Sequence, residues 1–144
     1  MTIDNVLLPI KVWRMVTEIT RGVRVSVESF YQDDYSNPLE SEFIFAYRVS
    51  IENASESTIK LLRRHWFIYD AYATGEYREV EGEGVVGQQP VLEPMGQYQY
   101  VSGCNLKGEM GRMHGVYEFQ RMSDGRIFEV LIPEFEMVAT PKMN

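Results

Sequence analysis

The feature that most constrains this chain is a period of two in its apolar residues. Five apolar side chains occupy every second position from residue 43 to 51, and three valines do the same from 23 to 27. Successive side chains of an extended strand point to opposite sides, so this period predicts β-strands with one buried face.

About eight such segments are separated by polar, Gly or Pro turns at the spacing typical of sandwiches and barrels. No segment after residue 20 has a helical stripe, and parallel strands need long crossovers, so the sheets are predicted to be antiparallel. Ser123-Asp124-Gly125 predicts a hairpin, and Pro133 predicts an edge strand or a bulge. The predicted fold is all-β, an antiparallel β-sandwich, with a closed β-barrel as the alternative.

The size and charge of the chain restrict its partners. Its 144 residues suit one domain, and 14 basic against 21 acidic residues give a net charge of −7. An acidic surface argues against nucleic acid as a partner, and no apolar run reaches the ~20 residues of a membrane span. The start lacks a signal-peptide pattern, and the single Cys104 forms no internal disulfide. We therefore expect a cytoplasmic protein without a membrane partner.

Residues 1–20 differ from the rest of the chain, because their apolar side chains have no clean period and several basic residues lie among them. A short helix, an extra strand and an arm that pairs with another copy all remain open here. The last alternative predicts a homodimer formed by strand pairing.

Six segments together resemble the ApaG domain family, from residue 15 to about residue 138. They are Met15–Val27, Phe45–Asn53, Leu61–Trp66, Gly82–Pro90, Tyr98–Gly103 and Met113–Tyr117. The resemblance implies an immunoglobulin- or fibronectin-III-like sandwich over residues 15–144, preceded by an extension at residues 1–14. The turn at Pro94-Met95-Gly96 departs from the Pro-Gly turn that is usual in the family.

The resemblance implies a binding function in preference to catalysis. Similar domains in eukaryotic F-box proteins and in a polymerase-delta-interacting protein imply a protein partner. The name CorD, also used in the family, implies divalent-cation (cobalt or magnesium) homeostasis as an alternative. No catalytic residues are attached to the family, so the chain is expected not to be an enzyme.

Gly82, Gly84 and Gly87 satisfy the pattern G-x-G-x-x-G, which holds phosphate where a helix begins directly after it. Here Val85-Val86 and Gln88-Gln89-Pro90 follow, so no helix is predicted. We expect these glycines to serve a bulged or crossing strand, with weak phosphate binding as the alternative.

Arg64 shares a predicted apolar strand face with Leu62 and Trp66, so it needs a partner. The structural interpretation is a cation over Trp66 or a paired carboxylate, and the functional one is an anchor for an acidic group of a partner. Three exposed segments are further interaction candidates. They are residues 32–42, residues 85–91 with Gln88, Gln89 and Pro90, and the edge near Pro133.

The soft metal ligands of the sequence are His65, His114 and Cys104, and they lack the close spacing of a zinc site. The acidic run from Glu76 to Glu83 is nonspecific as a cation site. The sequence therefore predicts no metal and no cofactor. It favours a non-catalytic protein-binding module.

Overall fold

The structure is a computed structural model that describes residues 15–73 and 75–140. These residues form nine strands and three 3₁₀ helices. The strands are β1 (Val16–Thr20), β2 (Val23–Tyr31), β3 (Phe43–Asn53), β4 (Ile59–Asp70), β5 (Arg78–Glu83), β6 (Val91–Leu92), β7 (Gln97–Leu106), β8 (Met110–Arg121) and β9 (Ile127–Val138). The 3₁₀ helices are Asp33–Tyr35, Pro38–Glu40 and Ala71–Ala73.

The strands form two antiparallel sheets, which confirms the predicted sandwich. One sheet has the order β1-β2-β3-β7, and the other has the order β5-β4-β8-β9 with β6 also paired to β4. Where the edge strands β1 and β9 meet, the Leu131 N–H donates to the Thr20 hydroxyl at 3.1 Å. No strand ladder joins the two sheets among the described strands, so the structure is not a closed barrel.

The core lies between the sheets because each long strand turns every second side chain inward. Strand β3 alternates buried and half-buried residues along its whole length. Burial of one large apolar side chain contributes about 1.5–3 kcal/mol. The largest fully buried side chains include Trp66, Tyr117, Phe45, Phe119, Ile51, Ile59 and Leu61.

Two bulges change which side chains face the core. The pairing of β4 with β8 shifts between Leu61 and Arg63, so Leu61 is buried whereas Leu62 is not. The predicted core face with Leu62 was therefore wrong at that residue, because the bulge adds one residue to the strand. A second shift between β8 and β9 lies opposite His114, at the Pro133 segment. This bulge, in an edge strand, confirms the prediction from Pro133.

Two further predictions concern the β8–β9 hairpin and the first residues of the described chain. The β8–β9 hairpin contains Ser123-Asp124-Gly125, as predicted, with Gly125 at φ 74°. Residues 16–20 form a strand paired with β2, so the extra strand is the correct alternative for these residues. The extension at residues 1–14 lies outside the described residues, so the homodimer stays a prediction. None of the helices in residues 15–73 and 75–140 is both long and apolar enough for a membrane crossing.

Candidate functional site

An aromatic strip lies on the outer face of the five-stranded sheet. We define the strip as His65, Phe67, Tyr69, Tyr77 and His114. The ring of Phe67 stacks on His65 with centroids 4.5 Å apart and on His114 at 5.2 Å. Tyr69 continues the stack, 5.6 Å from His114, and Tyr77 lies 5.4 Å from Tyr69. The strip thus joins both histidines of the chain through one series of ring contacts.

Strand alternation accounts for this position. Trp66 and Ile68 are buried in the core, so their neighbours on β4 point outward. The β8 residue His114 lies directly opposite Phe67 in the strand register. Aromatic pairs in such geometries contribute about 0.5–1.5 kcal/mol beyond the area they bury. The strip is therefore an ordered surface, although its rings from β4 and β8 stay half-buried.

Two carboxylates from β5 flank His65. The strand register places Glu81 opposite His65 and Glu79 opposite Phe67. The His65 Nε2 atom lies 2.7 Å from Glu79 Oε1, and Nδ1 lies 3.3 Å from Glu81 Oε2. A ring with a proton on both nitrogens donates to both carboxylates. The three side chains are 31% to 58% exposed, so ions and partners can reach them.

The other end of the strip carries a cation. The guanidinium of Arg112 lies 4.0 Å from the centroid of the Tyr69 ring. Its Nη1 atom is also 3.1 Å from the Glu134 carboxylate. A ring of the strip therefore already contacts a cationic side chain of the same chain.

Arg64 points away from the strip and holds the glycine segment. Its Nη1 donates to the carbonyl oxygens of Glu83 and Gly84, both at 3.0 Å. A Cβ atom at Gly82 would lie 3.1 Å from that nitrogen, so the glycine gives the guanidinium its space. The partners of Arg64 are therefore backbone carbonyls, and the predicted Trp66 ring and carboxylate were the wrong partners.

The glycines of residues 82–87 shape a tight turn. The N–H of Val85 donates to the Gln88 carbonyl at 2.8 Å, and that of Gln88 donates back at 2.9 Å. Val86 and Gly87, between them, have φ angles of 46° and 75°. Positive φ at both central residues is the type I′ pattern. Glycine suits this conformation, whereas a β-branched valine is strained in it.

The same segment offers little to a phosphate group. The Gly84 N–H donates to the Leu62 carbonyl at 2.8 Å, and those of Val85 and Gln88 donate within the turn. The next element is β6, so no helix N-terminus follows the glycines. Phosphate binding by Gly82, Gly84 and Gly87 stays a prediction that this geometry does not support.

The predicted interaction residues meet at the bulge in β4. The Gln89 side chain donates to the Leu62 carbonyl at 2.9 Å, and the Pro90 carbonyl accepts from the Leu61 N–H at 3.0 Å. Gln88 and Gln89 are exposed. These residues and Arg64 secure the edge of the sheet to its bulge.

The buried hydroxyl and thiol groups are held in their protonated forms. The hydroxyls of Tyr100 and Tyr117 bond to each other in the core, and burial raises the pKa of both phenols. Burial also raises the pKa of the Cys104 thiol to about 11, against the lowering effect of Arg78. A reactive cysteine needs a lowered pKa and access, so Cys104 does not match a catalytic thiol.

The aromatic strip and its carboxylates were missed by the sequence interpretation, which treated His65 and His114 as separate. The available signal was the outward half of the period-two pattern, where His65, Phe67 and Tyr69 alternate with core residues. The register that brings β5 and β8 beside them depends on the bulge, which the sequence does not mark.

The described strands form a β-sandwich with an aromatic and acidic surface on one outer face, and known proteins give its family. The family profile described as ApaG domain matches residues 33–121. Protein ApaG of Paramagnetospirillum magneticum is 46% identical over 133 residues, which cover 90% of this chain and 100% of that protein. Protein ApaG of Brucella anthropi is 46% identical over 123 residues, covering 85% and 92%. The chain therefore belongs to the ApaG family.

Solved structures agree with this assignment. A crystal structure of a Bordetella pertussis protein described as ApaA is 39% identical, with a TM-score of 0.77 over 84% of this chain and 95% of that chain. An X-ray structure of a structural-genomics target is 35% identical, with a TM-score of 0.76 over 85% and 90%.

Proposed function

We propose that this chain is a non-catalytic protein-binding module whose contact surface is the outer face of the five-stranded sheet. The observation that carries the proposal is the aromatic strip, whose rings lie on the surface while the core is already filled by the inner faces. Rigid aromatic side chains give large contact area at low entropy cost, and they are enriched at protein interfaces.

The apolar part of this surface extends across the sheet beyond the strip. Val116 lies opposite His65 in the register, and Leu131 lies opposite Val116 on β9. Leu131 is 45% exposed. Val116 and Leu131 therefore give a partner an apolar contact beside the rings. This arrangement matches the apolar centre and polar rim of protein interfaces.

The charges on this face favour a basic partner segment. Glu79, Glu81 and Glu129 are exposed on it, and the whole chain carries a net charge of −7. A Lys or Arg side chain gains from both the carboxylates and the ring faces, as Arg112 does on Tyr69. The proposed occupant is therefore a protein segment with exposed Lys or Arg side chains.

The experiment compares two matched substitutions, one on each outer face. The full chain, Phe67→Thr and Val101→Thr would each be used to capture partners from a lysate of the source cells, with the captured proteins identified and quantified. Val101 is 58% exposed on the outer face of the four-stranded sheet, so its variant controls for loss of an exposed apolar group. Circular dichroism would verify that both variants are folded.

We expect a stoichiometric basic protein that the wild type and Val101→Thr retain and that Phe67→Thr loses. The complex should also weaken at high salt, because ion pairs at the rim are screened. Equal retention by both variants, capture of an acidic partner, or recovery of nothing besides this chain would contradict the proposal.

A further inference from the structure

We propose that His65, Glu79 and Glu81 bind a divalent transition-metal ion of the zinc or cobalt class on the outer face of the five-stranded sheet. The proposal goes beyond the protein-binding function and does not depend on it. A role in cation homeostasis is a separate prediction, because an ion site does not by itself transport or store ions.

The donor atoms have the spacing that such a site needs. One ligand atom from each of the three side chains lies within 4.8 Å of the others. Metal–ligand bonds of about 2.0–2.2 Å place neighbouring ligand atoms roughly 3–3.5 Å apart. Glu79 lies 2.7 Å from His65 Nε2 and Glu81 lies 3.3 Å from Nδ1, so the two carboxylates now contact different ring nitrogens. An ion bound to one of these nitrogens replaces one of the two contacts, and rotation of the exposed glutamate side chains brings the second carboxylate to the same ion.

The fold orients these donors. Phe67 stacks on the His65 ring at an interplanar angle of 23°, so the ring presents its nitrogens toward β5. Glu79 and Glu81 are two residues apart on β5, and both point to the outer face. Arg78 does not compete for them, because its guanidinium donates to the Asn105 carbonyl. Preorganised ligands lower the entropy cost of binding.

The donor set selects the class of ion. An imidazole nitrogen suits Zn²⁺, Co²⁺, Ni²⁺ and Cu²⁺, whereas Mg²⁺ and Ca²⁺ prefer oxygen ligands. One histidine with two carboxylates also supplies three protein ligands, which leaves a position for water or for a side chain of a bound partner. Sequence spacing did not reveal this site, since Glu79 and Glu81 reach His65 only through the β4–β5 register.

The test is isothermal titration of the full chain, without a histidine tag and after chelator treatment, with ZnCl₂, CoCl₂ and MgCl₂ in turn. The variants are His65→Gln and Glu79→Gln, and the matched control is His114→Gln. His114 belongs to the same strip and also stacks on Phe67, but it is not one of the three proposed metal ligands. Circular dichroism of each variant verifies the fold.

We expect one Zn²⁺ or Co²⁺ ion per chain and much weaker binding of Mg²⁺. His65→Gln and Glu79→Gln should each weaken Zn²⁺ binding about tenfold or more, and His114→Gln should leave it unchanged. Absence of saturable binding, Mg²⁺ binding equal to Zn²⁺ binding, or an equal loss in His114→Gln would overturn the proposal. Because the isolated chain is used, failure here is distinct from failure to bind a partner protein.

Discussion

The two outer faces of the sandwich obey the same strand alternation, yet their side chains differ in kind. The outer face of the four-stranded sheet carries mainly polar side chains that bond to one another, with Val101 and Ile19 exposed among them. Arg48 pairs with Glu28, and the Gln99 side chain donates to the Ser50 hydroxyl at 2.8 Å. The ring of Phe30 lies under the Arg48 guanidinium, 5.4 Å from it.

The outer face of the five-stranded sheet instead carries the aromatic strip and carboxylates that extend beyond it. Folding requires only the inner faces of a sandwich to be apolar. The two inner faces are therefore constrained by the core, whereas the outer faces are free to differ. Because the core does not require apolar outer faces, we assign the binding surface to the outer face of the five-stranded sheet, which carries the series of stacked rings.

The largest expected difference in stability is between two glycine substitutions, one in each sheet. A Cβ atom at Gly115, on β8, would lie 2.1 Å from the His65 carbonyl oxygen, which is backbone and cannot move aside. We expect Gly115→Ala to lower the free energy of unfolding by about 3 kcal/mol, measured by urea denaturation.

Gly103, on β7, is the matched control because its added Cβ would meet the Phe45 carbonyl oxygen at 3.4 Å, an ordinary contact. Gly103→Ala should change the stability by no more than about 0.5 kcal/mol. Equal losses of stability in the two variants would show that the short distance between Gly115 and the His65 carbonyl oxygen does not require a glycine.

The next comparison separates ring packing from ion pairing. Phe67→Ala removes the ring contacts with His65 on the same strand, with Tyr77 and, across the strand pair, with His114. At about 0.2–1 kcal/mol for each contact, we expect a loss of about 1–2 kcal/mol. Arg48→Ala, on the opposite face, removes a half-exposed ion pair and should cost less than about 1 kcal/mol.

Salt distinguishes the two faces further. In 1 M NaCl the effect of Arg48→Ala should shrink through screening, and that of Phe67→Ala should persist. The comparison fails if both effects vanish together in urea titrations at high salt.

A smaller and opposite effect is expected at the turn after β5. Val86 has φ 46°, a conformation that costs a β-branched residue roughly 1–2 kcal/mol. Val86→Asn creates the Asn-Gly pair preferred in type I′ turns and should raise the free energy of unfolding by about 1 kcal/mol. Val101→Asn, at an exposed valine within β7, should not stabilise the chain. Thermal unfolding of both variants measures the difference.

The smallest effect lies at the β8–β9 hairpin, away from both faces. The Arg121 side chain and the Arg126 N–H bond to Asp124 and lower the pKa of its carboxyl from 3.8 to about 2. Its stabilising contribution is therefore complete well above pH 3.8 and is lost as the pH falls through about 2.

Asp124→Asn should accordingly lower the Tm slightly at neutral pH, and this difference should shrink as the pH falls through about 2. A Tm difference that grows on acidification would have the wrong sign. The result would also show whether acid stability depends on this hairpin rather than on the carboxylates beside the strip.

Sequence alone predicts the parts of this molecule that depend on local pattern. The antiparallel strands, the β8–β9 hairpin and the irregularity at Pro133 follow from side-chain period and turn chemistry. The partners of Arg64 do not follow, because they are carbonyls supplied by a turn whose position depends on the bulge at Leu62. Long-range register is a property of the packed sheets.

The candidate site illustrates the same limit. His65 and Glu79 are separated by the last five residues of β4, a 3₁₀ helix and the segment that leads into β5, so their contact at 2.7 Å is fixed by register. The outward alternation of His65 and Phe67 could be predicted, whereas the neighbours that give this pattern its chemistry could not.

The most direct test of the account places a photo-crosslinking amino acid at Leu131 or at Val101, two exposed apolar positions on edge strands of opposite outer faces. After irradiation of intact cells, crosslinked products would be resolved and identified. We predict a discrete adduct with one basic protein from position 131 and none from position 101. The reverse pattern, or the same adducts from both positions, would contradict the assignment of binding to the outer face of the five-stranded sheet.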